Sequence, residues 1–107
     1  MLDDVTVIVW GEFGRTPKIN GNAGRDHWPR AMSMLVSGGG MRTGQIIGAT
    51  NSKGEEPVER AMTPNDLWAT VYQHLGVDYT HEFPDHAGRP MPMLPFGEPI
   101  PELAPVT

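Results

Sequence analysis

The sequence predicts an α/β fold, with an open sheet of few strands and one clear helix. Three observations lead to this prediction. Residues 5–10 are rich in β-branched side chains, residues 11–30 form a long loop without periodicity, and residues 63–75 carry the pattern of an amphipathic helix. In open α/β sheets, the loops at the ends of the strands carry the ligands. We therefore expect the functional site to lie in residues 11–30.

The composition limits both the size of the core and the classes of partner. With 13 glycines and 11 prolines, few stretches can form regular structure, so we expect residues 1–107 to be a single partial domain. The net charge of -5 and the absence of any Lys or Arg cluster argue against a nucleic-acid groove or an anionic membrane surface. No apolar run approaches the roughly 20 residues that span a bilayer. The expected partner is a small molecule or a protein.

Three apolar segments are predicted to be strands. Residues 5–10 are typical of a buried strand in a parallel sheet, because the run is continuously apolar or β-branched. Residues 31–36 form a second run that is ended by Ser37 and three successive glycines, and residues 45–48 form a shorter third run. The polar residues 50–62 are predicted to be a connection.

The helix has the clearest boundaries in the sequence. Thr63 is a suitable N-cap, Pro64 occupies the first helical position, and Asp66 follows the cap by three residues. Gly76 is expected to end the helix. An apolar stripe that can face a core is formed by residues four apart, namely Leu67, Val71 and Leu75.

The tail, residues 77–107, is rich in proline, which cannot donate to a hydrogen-bonded ladder. We therefore expect the tail to be irregular and to wrap over a surface of the protein. Its histidines, His81 and His86, fit a solvated loop better than a second metal site.

A first cluster of functional residues follows the first predicted strand. Glu12 and Arg15 lie beside Gly11 and Gly14, which allow the backbone to approach other groups closely. The Glu12 carboxylate can bind a metal or act as a general base, and the planar Arg15 guanidinium can hold a phosphate, sulfate or carboxylate. An ion pair of Arg15 with Glu12 or with Asp26, which would only shape the loop, explains these residues equally well.

A second cluster follows at residues 25–28. Because the chain has no cysteine, any metal must be bound by His, Asp or Glu. Asp26 and His27 offer a carboxylate and an imidazole, which suit Zn, Mn or Fe, and Arg25 and Trp28 add a cation and an aromatic wall. The alternative is that Asp26 and His27 serve as a capping or hydrogen-bonding element of the loop. The residues alone leave both possibilities open.

Taken together, these segments resemble the C-terminal part of the bacterial proteins grouped as domain of unknown function 1501. The resemblance covers nearly the whole chain, and the segments that carry it are residues 7–17, 24–30, 38–45, 48–50, 63–67, 74–76 and 88–90. That family is related to the alkaline phosphatase and sulfatase superfamily. The resemblance therefore implies a C-terminal fragment of a three-layer sheet domain, whose parent is a metal-dependent hydrolase of phosphoric or sulfuric esters.

The resemblance also implies roles for individual residues. Superfamily members place two metal ions around a Ser, Thr or formylglycine nucleophile, with ligands in an Asp-His-Gly motif and in a later His. Glu12 corresponds in position to the Asp, and His27 to the later His, with Asp26 as a further candidate ligand. A divalent metal, Zn, Mn or Ca, is implied, and Arg15 or Arg25 would neutralise an oxyanion. Phe13 stands where the motif has a histidine, so one metal position departs from the superfamily pattern.

The resemblance finally implies a partner and a substrate class for the chain. The nucleophile of the superfamily lies in an N-terminal half that this chain lacks, so we expect the chain to be inactive alone and to need that half as its partner. The substrate class would be a small anionic ester, and the parent would be an exported bacterial protein. The competing hypothesis is a catalytically degenerate domain used for binding or scaffolding, in which residues 12, 15, 26 and 27 form a structural polar network.

Overall fold

The computed structural model describes residues 1–105 of the chain, which form a small α/β domain with one α-helix and short strands in small sheets. Within these residues, eight strands pair into four two-stranded antiparallel sheets. The strands are β1 Thr6–Trp10, β2 Gly14–Arg15, β3 His27–Trp28, β4 Met34–Gly38, β5 Ala49–Thr50, β6 Pro57–Glu59, β7 Glu82–Pro84 and β8 Pro90–Pro92. The helix α1 spans Pro64–His74, and a 3-10 turn spans Pro101–Leu103.

The main sheet consists of β1 and β4, and its arrangement corrects the prediction for residues 5–10. These strands pair antiparallel, with Ile8 opposite Val36 and Trp10 opposite Met34, so the expected parallel, fully buried strand is wrong. Exposure alternates along both strands, because only one face of the sheet is covered by α1 and the tail. The β-branched composition of residues 5–10 favours a strand, but it does not specify the direction of the neighbouring strand.

The other predicted strands are shifted in the structure. The segment predicted at residues 31–36 forms β4 three residues later, and residues 45–48 form no strand. A positive φ of 77° at Gly44 and of 89° at Gly48 interrupts the extended backbone there. The strands β5 and β6 instead lie almost entirely in the predicted polar connection, where they pair with an irregular register.

The helix is confirmed, with the predicted start and end. The backbone N–H of Thr63 donates to Oδ2 of Asp66 at 2.9 Å, which is one half of a capping box. The last helical residue is His74, and Gly76 follows with a φ of 72°. No helix in the described part of the chain is long and apolar enough to cross a membrane.

The core lies where α1, the inner face of β1 and β4, and the tail meet. The buried apolar side chains are Leu67, Ala69, Ile100 and Leu103. The partly buried side chains that pack against this cluster include Ile8, Trp10, Met34 and Val36. Thus the core contains few residues and draws two of its buried members from the tail.

The tail is more ordered than the sequence predicts. Among its residues, β7 and β8 form a hairpin in which Phe83 lies opposite Met91, so the expectation of an irregular segment is wrong there. Prolines stand at the ends of these three-residue strands, where a missing N–H costs the least. Further along, the N–H of Ile100 donates to Oγ1 of Thr70 at 2.9 Å, which fixes the tail to the helix. Residues 106 and 107 of the predicted tail lie outside the described residues.

The hydrogen bond between the tail and α1 can be tested with Thr70→Val, which keeps the shape of the side chain. The buried Ile100 N–H would lose its acceptor, and we expect the free energy of unfolding to fall by roughly 1 to 3 kcal/mol. Urea unfolding followed by circular dichroism measures this change. The control is Thr43→Val at an exposed position. An equal, small effect of both substitutions would contradict the importance of this bond.

The capping box predicts a pH dependence of stability. The hydrogen bond from the Thr63 N–H, followed by that from the Glu98 N–H, lowers the pKa of Asp66 below its ordinary value of 3.8. A lowered pKa in the folded state means that the stabilisation is present above pH 3.8 and is lost as the pH falls through the folded value. Asp66→Asn removes a negative charge from the first turn of the helix, and we expect it to destabilise the protein by roughly 0.3 to 1 kcal/mol at pH 7 and by less below pH 4.

Urea unfolding at a series of pH values measures this difference. Asp3→Asn is the matched control, because it removes the same charge from an exposed carboxylate. A difference between the unchanged protein and Asp66→Asn that stays constant from pH 7 to pH 3 would show that the carboxylate form of Asp66 is not what stabilises the helix.

Candidate functional site

The predicted site loop, residues 11–30, leaves the main sheet at the end of β1 and folds back on itself. Its two arms form the ladder of β2 and β3, in which Arg15 lies opposite His27 and Gly14 lies opposite Trp28. The N–H of Thr16 donates to the carbonyl oxygen of Asp26 at 3.0 Å and extends this pairing by one step. The loop is therefore a short hairpin-like unit that brings the two predicted clusters side by side.

Gly14 is needed for this close approach. It is buried, and a Cβ atom at this position would collide with the carbonyl oxygen of Ala31 and lie 2.8 Å from that of Trp28. Since real Cβ atoms do not approach backbone oxygens so closely, only glycine fits without a shift of the chain. The sequence predicted the use of glycine at this position, and the structure confirms it.

An imidazole, an aromatic ring and a guanidinium lie together on the ladder. The ring centroids of Phe13 and His27 are 3.9 Å apart, and Cζ of Arg15 lies 5.4 Å from the centroid of Phe13. Nη1 of Arg15 donates to the carbonyl oxygen of Arg25 at 3.1 Å. Thus the pairing of β2 with β3 brings Arg15 and His27 together, with Phe13 in contact with both.

The carboxylate of Glu12 is exposed, and it forms no ion pair within residues 1–105. Neither of the two ion pairs considered from the sequence, Arg15 with Glu12 or Arg15 with Asp26, is formed among these residues. Arg15 binds a backbone carbonyl and an aromatic face instead. The loop is therefore shaped by hydrogen bonds to the backbone. Glu12 takes no part in an ion pair within residues 1–105.

Arg25 and Asp26 hold the loop together. Nη1 of Arg25 donates to the carbonyl oxygens of Thr16 at 2.8 Å and of Pro17 at 2.6 Å. Oδ1 of Asp26 accepts a hydrogen bond from Nδ2 of Asn20 at 3.0 Å. Asp26 lines a groove together with Trp28, whereas His27 contacts Phe13, as expected for neighbours on an extended strand that point to opposite sides.

The sequence analysis missed Asn20, which organises the tip of the loop. Its Oδ1 accepts the backbone N–H groups of Asn22 at 2.9 Å and of Gly24 at 3.0 Å, while its Nδ2 donates to Asp26. The Asn-Gly pair at residues 20–21 was the available signal, because asparagine side chains bond to the backbone two residues later and favour turns.

The donors for a metal are few in this part of the protein. Within residues 1–105, no group of three or more His, Asp or Glu side chains is arranged to hold a metal ion. Glu12 and His27 supply a carboxylate and an imidazole, which are suitable donor types for Zn or Mn. A zinc site has at least three protein ligands, so these two residues fit a metal in kind but are too few to form a site alone.

The chain matches a known protein family. A family model described as "Protein of unknown function (DUF1501)" matches residues 1–104, which is almost the whole chain. No curated protein and no solved structure shows a significant match.

The role of Asn20 can be tested by amide hydrogen exchange. In Asn20→Ala the N–H groups of Asn22 and Gly24 lose their acceptor, and we expect both to exchange roughly tenfold faster. The control is Asn22→Ala, which removes an exposed amide from the same turn. Equal exchange rates at Gly24 in the two variants would show that Asn20 does not hold the loop.

Proposed function

Because the chain belongs to the DUF1501 family of proteins of unknown function, we propose that it forms part of a metal-dependent hydrolase of phosphoric or sulfuric esters. In this proposal, Glu12 and His27 bind a divalent metal ion, and Arg15 interacts with the anionic group of the substrate. The resemblance to the alkaline phosphatase and sulfatase superfamily, seen in residues 7–17 and 24–30, suggests this reaction class.

The observation that best supports the proposal is the pairing of Arg15 with His27 across β2 and β3. It places a cation next to an imidazole on the ladder of β2 and β3, and Glu12, which forms no ion pair within residues 1–105, lies three residues before Arg15. A guanidinium has five N–H donors, and the contact with the Arg25 carbonyl uses Nη1. The remaining donors can bind two oxygens of a phosphate or sulfate group.

Each residue has a distinct part in such a reaction. A bound divalent metal would supply a Lewis acid that polarises the ester. Glu12 and His27 would position that ion, and Arg15 would offset the negative charge on the ester oxygens, where one positioned donor contributes several kcal/mol. Arg25 is a weaker candidate for this task, because its Nη1 already donates to the carbonyl oxygens of Thr16 and Pro17.

The proposed partner is a further half of the same domain, which would supply the nucleophile and the remaining ligands. Two observations support it. The radius of gyration is 16.6 Å, whereas a compact domain of this size has one of about 13 Å. On the outer face of β1 and β4, the exposed fractions of Val7, Val9 and Leu35 are 52%, 60% and 70%. An apolar face of this kind would be covered in a three-layer domain.

A second candidate function is a binding or scaffolding domain without catalysis. It is favoured by the contact between Phe13 and His27, which occupies one side of the imidazole, and by the hydrogen bonds that commit Arg25 and Asp26 to the loop. In this case Glu12 and His27 would be surface groups, and the family would retain the fold of a hydrolase without its metal.

The metal assignment is tested in a longer protein, in which the chain is extended by the segment encoded upstream of it. We expect the purified protein to contain a divalent metal and to hydrolyse 4-nitrophenyl phosphate or 4-nitrophenyl sulfate. Glu12→Ala and His27→Ala are each expected to lower metal content by at least about tenfold, because each removes one ligand. Elemental analysis measures the metal content, and the absorbance of released 4-nitrophenol measures the hydrolysis.

The controls are Glu82→Ala and His86→Ala, which remove an exposed carboxylate and an exposed imidazole from the tail. Unchanged metal content in both loop variants would contradict the assignment of Glu12 and His27. If the longer protein folds but binds no metal, the scaffolding function is favoured.

A further inference from the structure

An open groove lies beside the site loop, on the side of Asp26 and Trp28. It is open to solvent, has a volume of about 750 Å³, and is lined by residues 16–21, Asp26, Trp28, Lys53 and Glu55. Pockets for small organic ligands usually enclose about 300 to 1,000 Å³. The groove is therefore large enough for a ligand of several rings, and neither Glu12 nor His27 lines it.

The indole of Trp28 is held in place within the groove. Its Nε1 donates to the carbonyl oxygen of Glu55 at 2.7 Å, which links β3 to residue 55, and Cζ of Arg30 lies 5.2 Å from the ring centroid. The ring is only partly buried, so it retains a surface toward the groove. A fixed aromatic surface loses little conformational entropy when a flat apolar face packs against it.

The charged groups of the groove are balanced. Lys18 and Lys53 are the only lysines in the sequence, and both line the groove. Asp26 and Glu55 add two carboxylates, so the formal charges cancel. Neither lysine forms an ion pair with a carboxylate within residues 1–105. The ammonium groups can therefore donate to a ligand. Oδ1 of Asp26 accepts from Asn20 and Oε1 of Glu55 accepts from Asn51, so the second oxygen of each carboxylate is the one that can accept from a ligand.

We propose that this groove is a binding site for a neutral saccharide, whose sugar ring packs against Trp28 while its hydroxyl groups bond to the lysines and carboxylates. A pyranose ring has an apolar face of C–H groups and a rim of hydroxyls, each of which both donates and accepts. The combination of an aromatic surface with balanced donors and acceptors suits such a ligand. A simple anion would be attracted by the lysines and repelled by Asp26 and Glu55.

The saccharide site is independent of the proposed hydrolase function, because it uses other residues on another side of the loop. It is tested by titrating the chain with four neutral tetrasaccharides, namely cellotetraose, laminaritetraose, mannotetraose and chitotetraose. Backbone amide shifts in nuclear magnetic resonance spectra report the binding. We expect saturable shifts for at least one tetrasaccharide, confined to residues 16–21, 26–28 and 53–55.

Substitutions then assign the contacts. Lys53→Gln and Asp26→Asn each replace a charged side chain by a neutral polar one, and each is expected to weaken binding by a factor of roughly 3 to 10 through loss of a charged hydrogen-bond partner. Trp28→Phe keeps an aromatic ring but reduces the stacking surface, and it is expected to weaken binding by a similar factor. Glu82→Gln, a carboxylate outside the groove, is expected to leave the affinity unchanged.

Two results would overturn the proposal. One is the absence of saturable shifts in the groove with all four tetrasaccharides, in a protein whose spectrum shows that it is folded. The other is a set of groove shifts that inorganic sulfate or phosphate alone reproduces, because this would identify an anion site rather than a saccharide site.

Discussion

The antiparallel pairing of β1 with β4 is the interaction on which the other parts of the structure depend. It places Trp10 opposite Met34, so both ends of the intervening loop are fixed at one end of the sheet. The inner face of the same pair supplies the apolar surface on which α1 and the tail pack. A two-stranded sheet is only marginally stable by itself. The buried cluster of Leu67, Ile100 and Leu103 therefore supports the sheet, and through it the position of the site loop.

The accuracy of the sequence-based predictions depended on the range of the interactions involved. The bounds of the helix were predicted correctly because its cap and terminal glycine lie within residues 63–76. The predicted apolar stripe was wrong at Leu75, which follows the last helical residue and is 64% exposed. The direction of strand pairing was predicted wrongly, because it depends on contacts between residues about 30 positions apart. The contribution of Ile100 and Leu103 to the core was missed for the same reason, since a proline-rich segment contains no periodic pattern that marks buried positions.

The presence of both candidate clusters on one loop follows from the sequence, but the arrangement of their side chains was not predicted. Both clusters lie on one loop, yet the opposition of Arg15 and His27 follows from the ladder of β2 and β3, which spans only two residues on each side. The alternation of an extended strand then separates His27 from its neighbour Asp26. Adjacent positions in the sequence suggested a shared ligand set, whereas the extended backbone directs the two side chains to different surroundings.

The uncovered face of the main sheet also has a consequence for the chain in solution. Within the described residues, β1 and β4 each pair on one side only, so each has a free edge beside exposed valines or leucine. Free edges next to apolar side chains favour intermolecular strand pairing and aggregation. Any segment or partner that covers this surface thus protects the chain as well as completing its sheet. Solubility at increasing concentration consequently becomes a simple indicator of whether that cover is in place.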